Sequence, residues 1–400
     1  MPLPLNSLLH TLSLWVMLHR VISGSVCIAW YGGIILIWRH RNHYIRMSSL
    51  VFSPQELSNL PKLSILVPAC NEGSTVEKAM RSLMSLNYPN YEIIAVDDRS
   101  TDETGEILDC LALKNSTLTV VHLDHLPPGW LGKNHALQVA SEHATGEWLL
   151  FTDADVVYRQ DTMQKAVAHA IREKLDHLVV CPRCEGHGFW EKLFMSYFLL
   201  MFLLRVRPWQ VPDVKRKAFF GFGAFNMVRA QSYFKSGGHA ALPMEVADDY
   251  KLGKILKKHG FVSGMLDGSD YLSLRWVYGL EGVWNGFTKN AYASFDFSLF
   301  RTFFGMLALI LTALYPLIGL IIPCPSVQII SLFTLFAMTV GAYAMRRVTG
   351  ANPMYGVCYP LAGILVVCII IRSTWVTHKQ HGIVWRGTRY ALEELKKGVV

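Results

Sequence analysis

Two aspartates, Asp153 and Asp155, end the apolar run Trp148–Phe151 in the stretch FTDADVV. On an extended segment, that spacing directs both carboxylates to one face. Two anions on one face repel unless a cation lies between them. Further acids stand where other apolar runs stop: Glu72 in PACNEG (Pro68–Gly73), and Asp97 and Asp98 in AVDDRS. Lys133 follows PPGWLG and opens a stretch of helical spacing. Carboxylates, water and phosphate oxygens together suit Mg2+ or Mn2+. Such an ion offsets the charge that gathers on a departing diphosphate. A lysine at a helix N-terminus adds positive potential toward the same oxygens. The residue types therefore point to a nucleotide diphosphate handled with a divalent cation. Helix capping is the plainer use for Asp98, Ser100 and Asp102, and Asp102 above all is expected to cap.

The elements that position these groups follow from the alternation beginning at Lys62. Short apolar runs (LSILVPA, YEIIAVDD, LTVVHL, EWLLFTDAD, DHLVVCP) are separated by stretches of helical spacing at Ser74–Leu86, Thr101–Leu113, Lys133–His143 and Asp161–Glu173. This pattern predicts an α/β fold, a mostly parallel sheet with helices on both faces. Ligands of such sheets bind beyond the carboxyl ends of the strands. The acids at three strand ends then share one rim.

The rest of the chain is apolar. Hydrophobic residues make up 52% and charged residues only 17%, against about a quarter charged in soluble domains. Val21–Trp38, Phe303–Ile322, Val327–Met345 and Tyr355–Ile371 carry no charge. Each approaches the length of a membrane-spanning helix. The basic run Arg39–Arg46 follows the first without a small-residue cleavage site, so a membrane anchor is expected rather than a removed leader. The bases beside the spans place the domain Arg39–Phe300 in the cytoplasm, as do Arg346 and Arg347. One N-terminal and three C-terminal spans would leave the basic tail outside. The charge rule therefore implies that one C-terminal run is re-entrant or that Met1–Leu18 also inserts. The expected order is an anchor (1–46), a catalytic domain (47–300), C-terminal spans (301–372) and a basic tail (373–400). Within the domain, Phe189–Trp209 and Gly279–Phe297 have the pattern of interfacial helices. The net charge of +8 suits an anionic leaflet. The scattered bases do not suit a nucleic-acid partner. Cys181 and Cys184 lack the second ligand pair a zinc site needs, and free thiols are expected.

SILVPACNE, IIAVDDRSTDET, GWLGKNHAL, LLFTDADVV and EVADDYKLG stand in that order over roughly Lys62–Leu266. Together they resemble the inverting family 2 glycosyltransferases. LPPGWLGKNHAL and the tail VWRGTRY resemble a membrane branch acting on lipids, the ceramide glucosyltransferases and the carotenoid- and hopanoid-associated glycosyltransferases. The resemblance implies a GT-A-like nucleotide-sugar-binding fold. It implies that Pro68, Asn71, Glu72, Asp97 and Asp98 line the nucleotide pocket, and that Asp155, helped by Asp153, holds the metal. Asp249 matches the second acid of the family's Glu-Asp pair, here Asp248-Asp249, and would be the general base. Arg275 would contact the diphosphate and Trp276 the acceptor, although the Gln of the processive Gln-x-x-Arg-Trp pattern is Leu272 here. The segment Phe219–Ala230, with Gly221, Gly223 and Phe225, is expected to face the acceptor, its glycines allowing close approach.

These readings converge on a membrane-bound, metal-dependent hexosyltransferase that uses a nucleotide sugar, UDP-linked for preference, and adds one sugar to a lipid. A processive polysaccharide synthase, a polyprenyl-phosphate glycosyltransferase and a non-catalytic scaffold or transporter remain as alternatives.

Overall fold

The structure, a computed structural model, describes residues 5–399. The chain opens with α1 (Leu5–Arg39) and α2 (Pro54–Ser58). Then follow β1 (Leu63–Ala69), α3 (Val76–Met84), β2 (Tyr91–Asp98), α4 (Thr104–Ala112), β3 (Leu118–Leu123), α5 (Gly132–His143) and β4 (Trp148–Phe151). Next come β5 (Val157–Tyr158), α6 (Thr162–Arg172), β6 (His177–Cys181), β7 (Arg183–Cys184), α7 (Phe189–Val206), β8 (Asn226–Arg229), α8 (Ala230–Lys235) and α9 (Asp248–Lys258). They are followed by β9 (Ser263–Asp267), β10 (Leu272–Leu274), α10 (Gly279–Ala291), α11 (Leu299–Leu309), α12 (Tyr315–Ile321), α13 (Pro325–Thr349) and α14 (Tyr359–Lys379). The tail holds β11 (Gly382–Trp385), β12 (Thr388–Ala391) and α15 (Leu392–Lys397).

The chain divides into two compact units. One takes α1, Gly186–Arg205 and Val277–Thr374; the other takes Asn42–Glu185, Val206–Trp276 and the tail from Trp375. The basic tail from Trp375 groups with the second unit, and α7 and α10 group with the apolar helices. In the second unit the sheet order is β3-β2-β1-β4-β8-β6-β9. All neighbours run parallel except β8, which is antiparallel to β4 and β6. Helices cover both faces of the central strands, which is why β1 and β4 read as unbroken apolar runs rather than alternating ones. Leu63, Ile65, Leu66 and Val67 are fully buried, each burial contributing about 1.5–3 kcal/mol. Ala69 of β1 lies level with Asp97 of β2, and Asp97 with His122 of β3, so the strand ends form one rim.

Among the described residues, four helices are long and apolar enough to cross a membrane: Ser13–Arg39, Leu299–Ile321, Pro325–Thr349 and Pro353–Lys379. Helix α1 continues unbroken from Leu5, so the part of Met1–Leu18 that is described is no separate span; Met1–Pro4 lie outside the described residues. Small residues let these helices approach. A side chain on Gly363 would strike Ala313, and one on Gly356 would strike the backbone of Thr339. Between α11 and α12, a π-helical turn, Ile310–Leu314, frees the Thr312 carbonyl, which accepts the Trp30 indole N–H at 2.9 Å. The buried Glu191 of α7 accepts the amides of His187 and Gly279, at 3.0 and 2.7 Å, and so anchors the start of α10.

Candidate active site

The rim is assembled by loops that fasten to one another. After β1, Asn71 adopts a left-handed conformation (φ 55°). Its amide donates to Ser100 Oγ at 3.0 Å and its Oδ1 accepts the Thr101 amide at 2.8 Å. The Glu72 amide donates to Thr104 Oγ1 at 2.7 Å. Asp102 accepts from the amides of Gly73 and Thr104, the local capping role its position suggests. At the end of β2, Asp97 and Asp98 are buried. Asp97 Oδ2 lies 3.0 Å from His122 Nδ1, while its Oδ1 is buried without a hydrogen-bond partner. Asp98 is gripped by Arg99 at 2.7 and 3.0 Å. Pro68 is half-buried at the end of β1.

The charged centre lies between the end of β4 and the start of α9. Lys133 Nζ is 2.7 Å from Asp153 Oδ1 and 3.8 Å from Asp248 Oδ1. Burial pulls the Lys133 pKa down, but Asp153, Asp248 and Asp249 more than reverse this and hold the ammonium charged. Burial likewise opposes the charge on Asp248, yet Lys133 and His239, 3.8 Å away, keep its pKa below the ordinary value. Asp249 has no such direct partner. Burial, followed by the Asp248 charge, pushes its carboxyl up to about 7. Asp155 is also pushed up to about 7, by burial and then by Asp153 and Glu72. Its Oδ1 is buried with no hydrogen-bond partner among the described residues. Such an orphaned acceptor is what a cation site leaves when described without its ion.

Glycines set the spacing. A Cβ at Gly221 would lie 1.7 Å from the carbonyl oxygen of Asp249, and one at Gly223 2.5 Å from Asp153 Oδ2. The glycines thus let the Asp249 backbone and the Asp153 carboxylate come close. The Gly223 amide donates to Asp249 Oδ2 at 2.6 Å, and the Tyr250 amide to Oδ1 at 2.7 Å. Phe225 is fully buried beside Tyr158, with ring centres 6.4 Å apart. Arg275 and Trp276 follow β10 half-buried, with Trp276 edge-on to Phe222 at 5.4 Å.

Several supporting residues escape a reading by motif. Asn134, fully buried, donates to the carbonyls of Leu242 and Glu245 at 2.5 and 2.9 Å, and so pins the turn that leads into Asp248. His239 Nδ1 lies 2.9 Å from the Tyr233 hydroxyl, behind Asp248. The tail hairpin reaches the rim: Arg386 pairs with Glu72, Thr388 with Arg99, and Tyr390 with the amide of Gly132. The alternation in VWRGTRY could have placed Thr388 and Tyr390 on one face, but nothing in it names the surface they meet.

A mostly parallel, helix-covered sheet with buried carboxylates along its carboxyl rim is a GT-A-like fold. Residues 64–250 match the family model "Glycosyl transferase family 2" and form a domain of that family. The chain resembles a 4,4'-diaponeurosporenoate glycosyltransferase of Staphylococcus haemolyticus, 23% identical over 231 residues, covering 57% of this chain and 60% of that one. It also resembles a beta-monoglucosyldiacylglycerol synthase of Trichormus variabilis, 31% identical over 181 residues, covering 44% of this chain and 38% of that one. The matched regions thus span about three-fifths and two-fifths of those relatives. Among solved structures, a mannosyltransferase from Pyrobaculum calidifontis in complex with GDP-Man and Mn2+ shares the fold, with a TM-score of 0.57 at 18% identity, covering 88% of this chain and 99% of that one.

Proposed function

We propose that this glycosyltransferase moves a hexose from a nucleoside-diphosphate sugar, UDP-linked for preference, to the hydroxyl or carboxyl of a membrane lipid, one sugar at a time and with inversion. The observation that carries the reading is the pairing of two differently tuned acids at the start of α9. Asp248 is held charged beside Lys133, while Asp249 is raised to about 7. A carboxylate with a pKa near the working pH is the most effective proton acceptor, so Asp249 takes the proton from the acceptor hydroxyl as the new bond forms. Its two amide contacts, from Gly223 and Tyr250, fix the carboxylate's orientation. Lys133 and Asp248 hold that geometry and keep the neighbouring charge constant.

Asp155, with its unpartnered Oδ1, and Asp153 fit a divalent cation. Among the described residues, no group of three or more His, Cys, Asp or Glu side chains forms a complete protein cage. This suits an ion that takes its remaining ligands from water and phosphate oxygens, as Mg2+ and Mn2+ do. When bound, such an ion offsets the charge of the leaving diphosphate. Asn71, Glu72, Asp97 and Asp98 form the nucleotide end of the rim, Arg275 contacts the diphosphate, and Trp276 stands on the acceptor side. Four helices able to cross a membrane, basic residues beside them facing the cytoplasm, and lipid-directed names among the relatives support a lipid acceptor and a cytoplasmic catalytic unit.

The test is incubation of membranes carrying the full chain with labelled UDP- and GDP-sugars, followed by lipid extraction and mass spectrometry. One sugar on a lipid is expected. A ladder of lengths would replace the reading with a polymerising one, and no labelled lipid from any extract would remove it.

A further inference from the structure

The tail hairpin has no part in the reaction as described, yet it is tied to the rim at three points. Its strands meet across a two-residue turn, Arg386-Gly387, with Trp385 opposite Thr388. Both turn residues have positive φ, 48° and 79°, as the tight turn that matches strand twist requires. Glycine adopts this conformation freely and asparagine readily; arginine does so only when its surroundings hold it there. Backbone held in such a conformation clusters at ligand sites. Here the end of β1 does the holding. Arg386 Nη1 donates to the Asn71 carbonyl at 3.2 Å, and Nη2 pairs with the Glu72 carboxylate. Thr388 and Tyr390, two apart on β12, share one face of that strand. Thr388 Oγ1 accepts from Arg99 Nη1 at 3.4 Å, and the Tyr390 hydroxyl accepts the Gly132 amide at 3.1 Å. The hairpin is thus fastened in turn to the loop after β1, the loop after β2 and the start of α5.

The third fastening changes the electrostatics of the rim. A helix N-terminus offers its free amides to anions, but the first amide of α5 is already bonded to Tyr390. Lys133, the next residue, is committed to Asp153 and Asp248. Arg386 stands on the same rim with its side chain 44% exposed. Its partners are a carboxylate and a carbonyl, both of which a phosphate can replace with bidentate, charge-assisted bonds.

We propose that the hairpin Gly382–Ala391 is a strap across the nucleotide end of the cleft, and that Arg386 passes from Glu72 to the diphosphate when a nucleoside-diphosphate sugar binds. This rests on the nucleotide-sugar reading above. Thr388 and Tyr390 keep the strap in place during the exchange, so one arginine moves while the hairpin stays. Glu72, released, remains beside the acids of the β4 rim and favours retention of a cation there.

The experiment is calorimetric titration of the full-length protein in detergent with UDP and with GDP, each with Mn2+, alongside the corresponding nucleosides. Arg386→Asn removes the cation and leaves the turn in its most favoured sequence, Asn-Gly. It is expected to weaken nucleoside-diphosphate binding about tenfold or more, to leave nucleoside binding within about twofold, and not to lower the melting temperature. Arg386→Lys, which keeps the charge and loses the fork, should recover part of the affinity. Equal diphosphate affinity in wild type and Arg386→Asn, or equal losses for nucleoside and diphosphate, overturns the strap alone. If the Asn variant does not fold, the same comparison is read from Arg386→Lys, for which unchanged diphosphate affinity overturns the proposal. A wild-type protein that binds neither UDP nor GDP overturns the nucleotide-sugar reading together with it.

Discussion

Lys133 Nζ lies 2.7 Å from Asp153 and 3.8 Å from Asp248, so one ammonium joins the end of β4 to the start of α9. The Asp248 side chain is only 5% exposed. Lys133→Met leaves a buried carboxylate without its partner, which costs about 3 kcal/mol. Adding Asp248→Asn should restore part of that stability, because the two groups form one interacting unit. Chemical denaturation of the two single variants and the double variant measures this; strictly additive losses would show that the pair is not coupled.

Asp249→Asn keeps the shape of the side chain and removes the base. Turnover should fall by about 10²–10⁴-fold, while UDP affinity changes little. Steady-state kinetics beside a binding titration separates the two. Turnover that survives the substitution would favour an acceptor already ionised, such as a polyprenyl phosphate.

Asp155 and Asp249 are both raised to about 7, against an ordinary value near 4. Between those values the unfolded chain gives up protons that the folded chain keeps. Their contribution to stability is therefore complete below about pH 4 and lost as pH rises through about 7. Activity runs the other way, since the base works only when deprotonated, and kcat/KM should rise through about pH 7. Melting curves of the metal-free protein at pH 5.5 and 8 should show the lower melting temperature at pH 8 for the wild type, with a smaller difference in Asp249→Asn.

Gly221 and Gly223 should respond differently to alanine. At Gly221 the new methyl meets the backbone carbonyl of Asp249 at 1.7 Å, which can yield only by moving the start of α9. At Gly223 it meets the end of the Asp153 side chain at 2.5 Å, which can rotate. Gly221→Ala should cost both stability and turnover, and Gly223→Ala mainly the apparent affinity for Mn2+. Circular dichroism melts and metal titrations of activity distinguish them.

The tail belongs to the same compact unit as the sheet, so both must lie on one side of any membrane. An even number of crossings must then separate Trp276 from Trp375, although three candidate spans lie between them. A re-entrant last candidate, whose Gly356 packs on Thr339 part-way back along α13, would meet this condition. Single cysteines introduced at positions 57 and 387 should react with a membrane-impermeant maleimide from the same side, and one at position 323 from the other. Opposite labelling of 57 and 387 would contradict this topology.

The strand and helix pattern from Leu63 to Cys181 was legible in the sequence because a sheet covered on both faces demands unbroken apolar runs, and LSILVPA and EWLLFTDAD could hardly be anything else. The acids at the strand ends were legible for the same reason, since a parallel sheet gathers its strand ends on one edge. The burial of Phe225 was not legible, because an aromatic beside two glycines looks the same whether it faces a ligand or the core. Nor was the close approach of Asp249 to Gly221 and of Asp153 to Gly223, because a missing side chain does not say which neighbour fills the space.

By itself the sequence determined the class of sheet, the apolar helices and the set of carboxylates, all of which follow from local periodicity and residue chemistry. Only the tertiary structure decided which acid is held charged and which is poised near neutrality. It also decided that a hairpin from the end of the chain completes a rim begun near residue 70. Both depend on distances between segments far apart in the chain, and no local pattern encodes such distances.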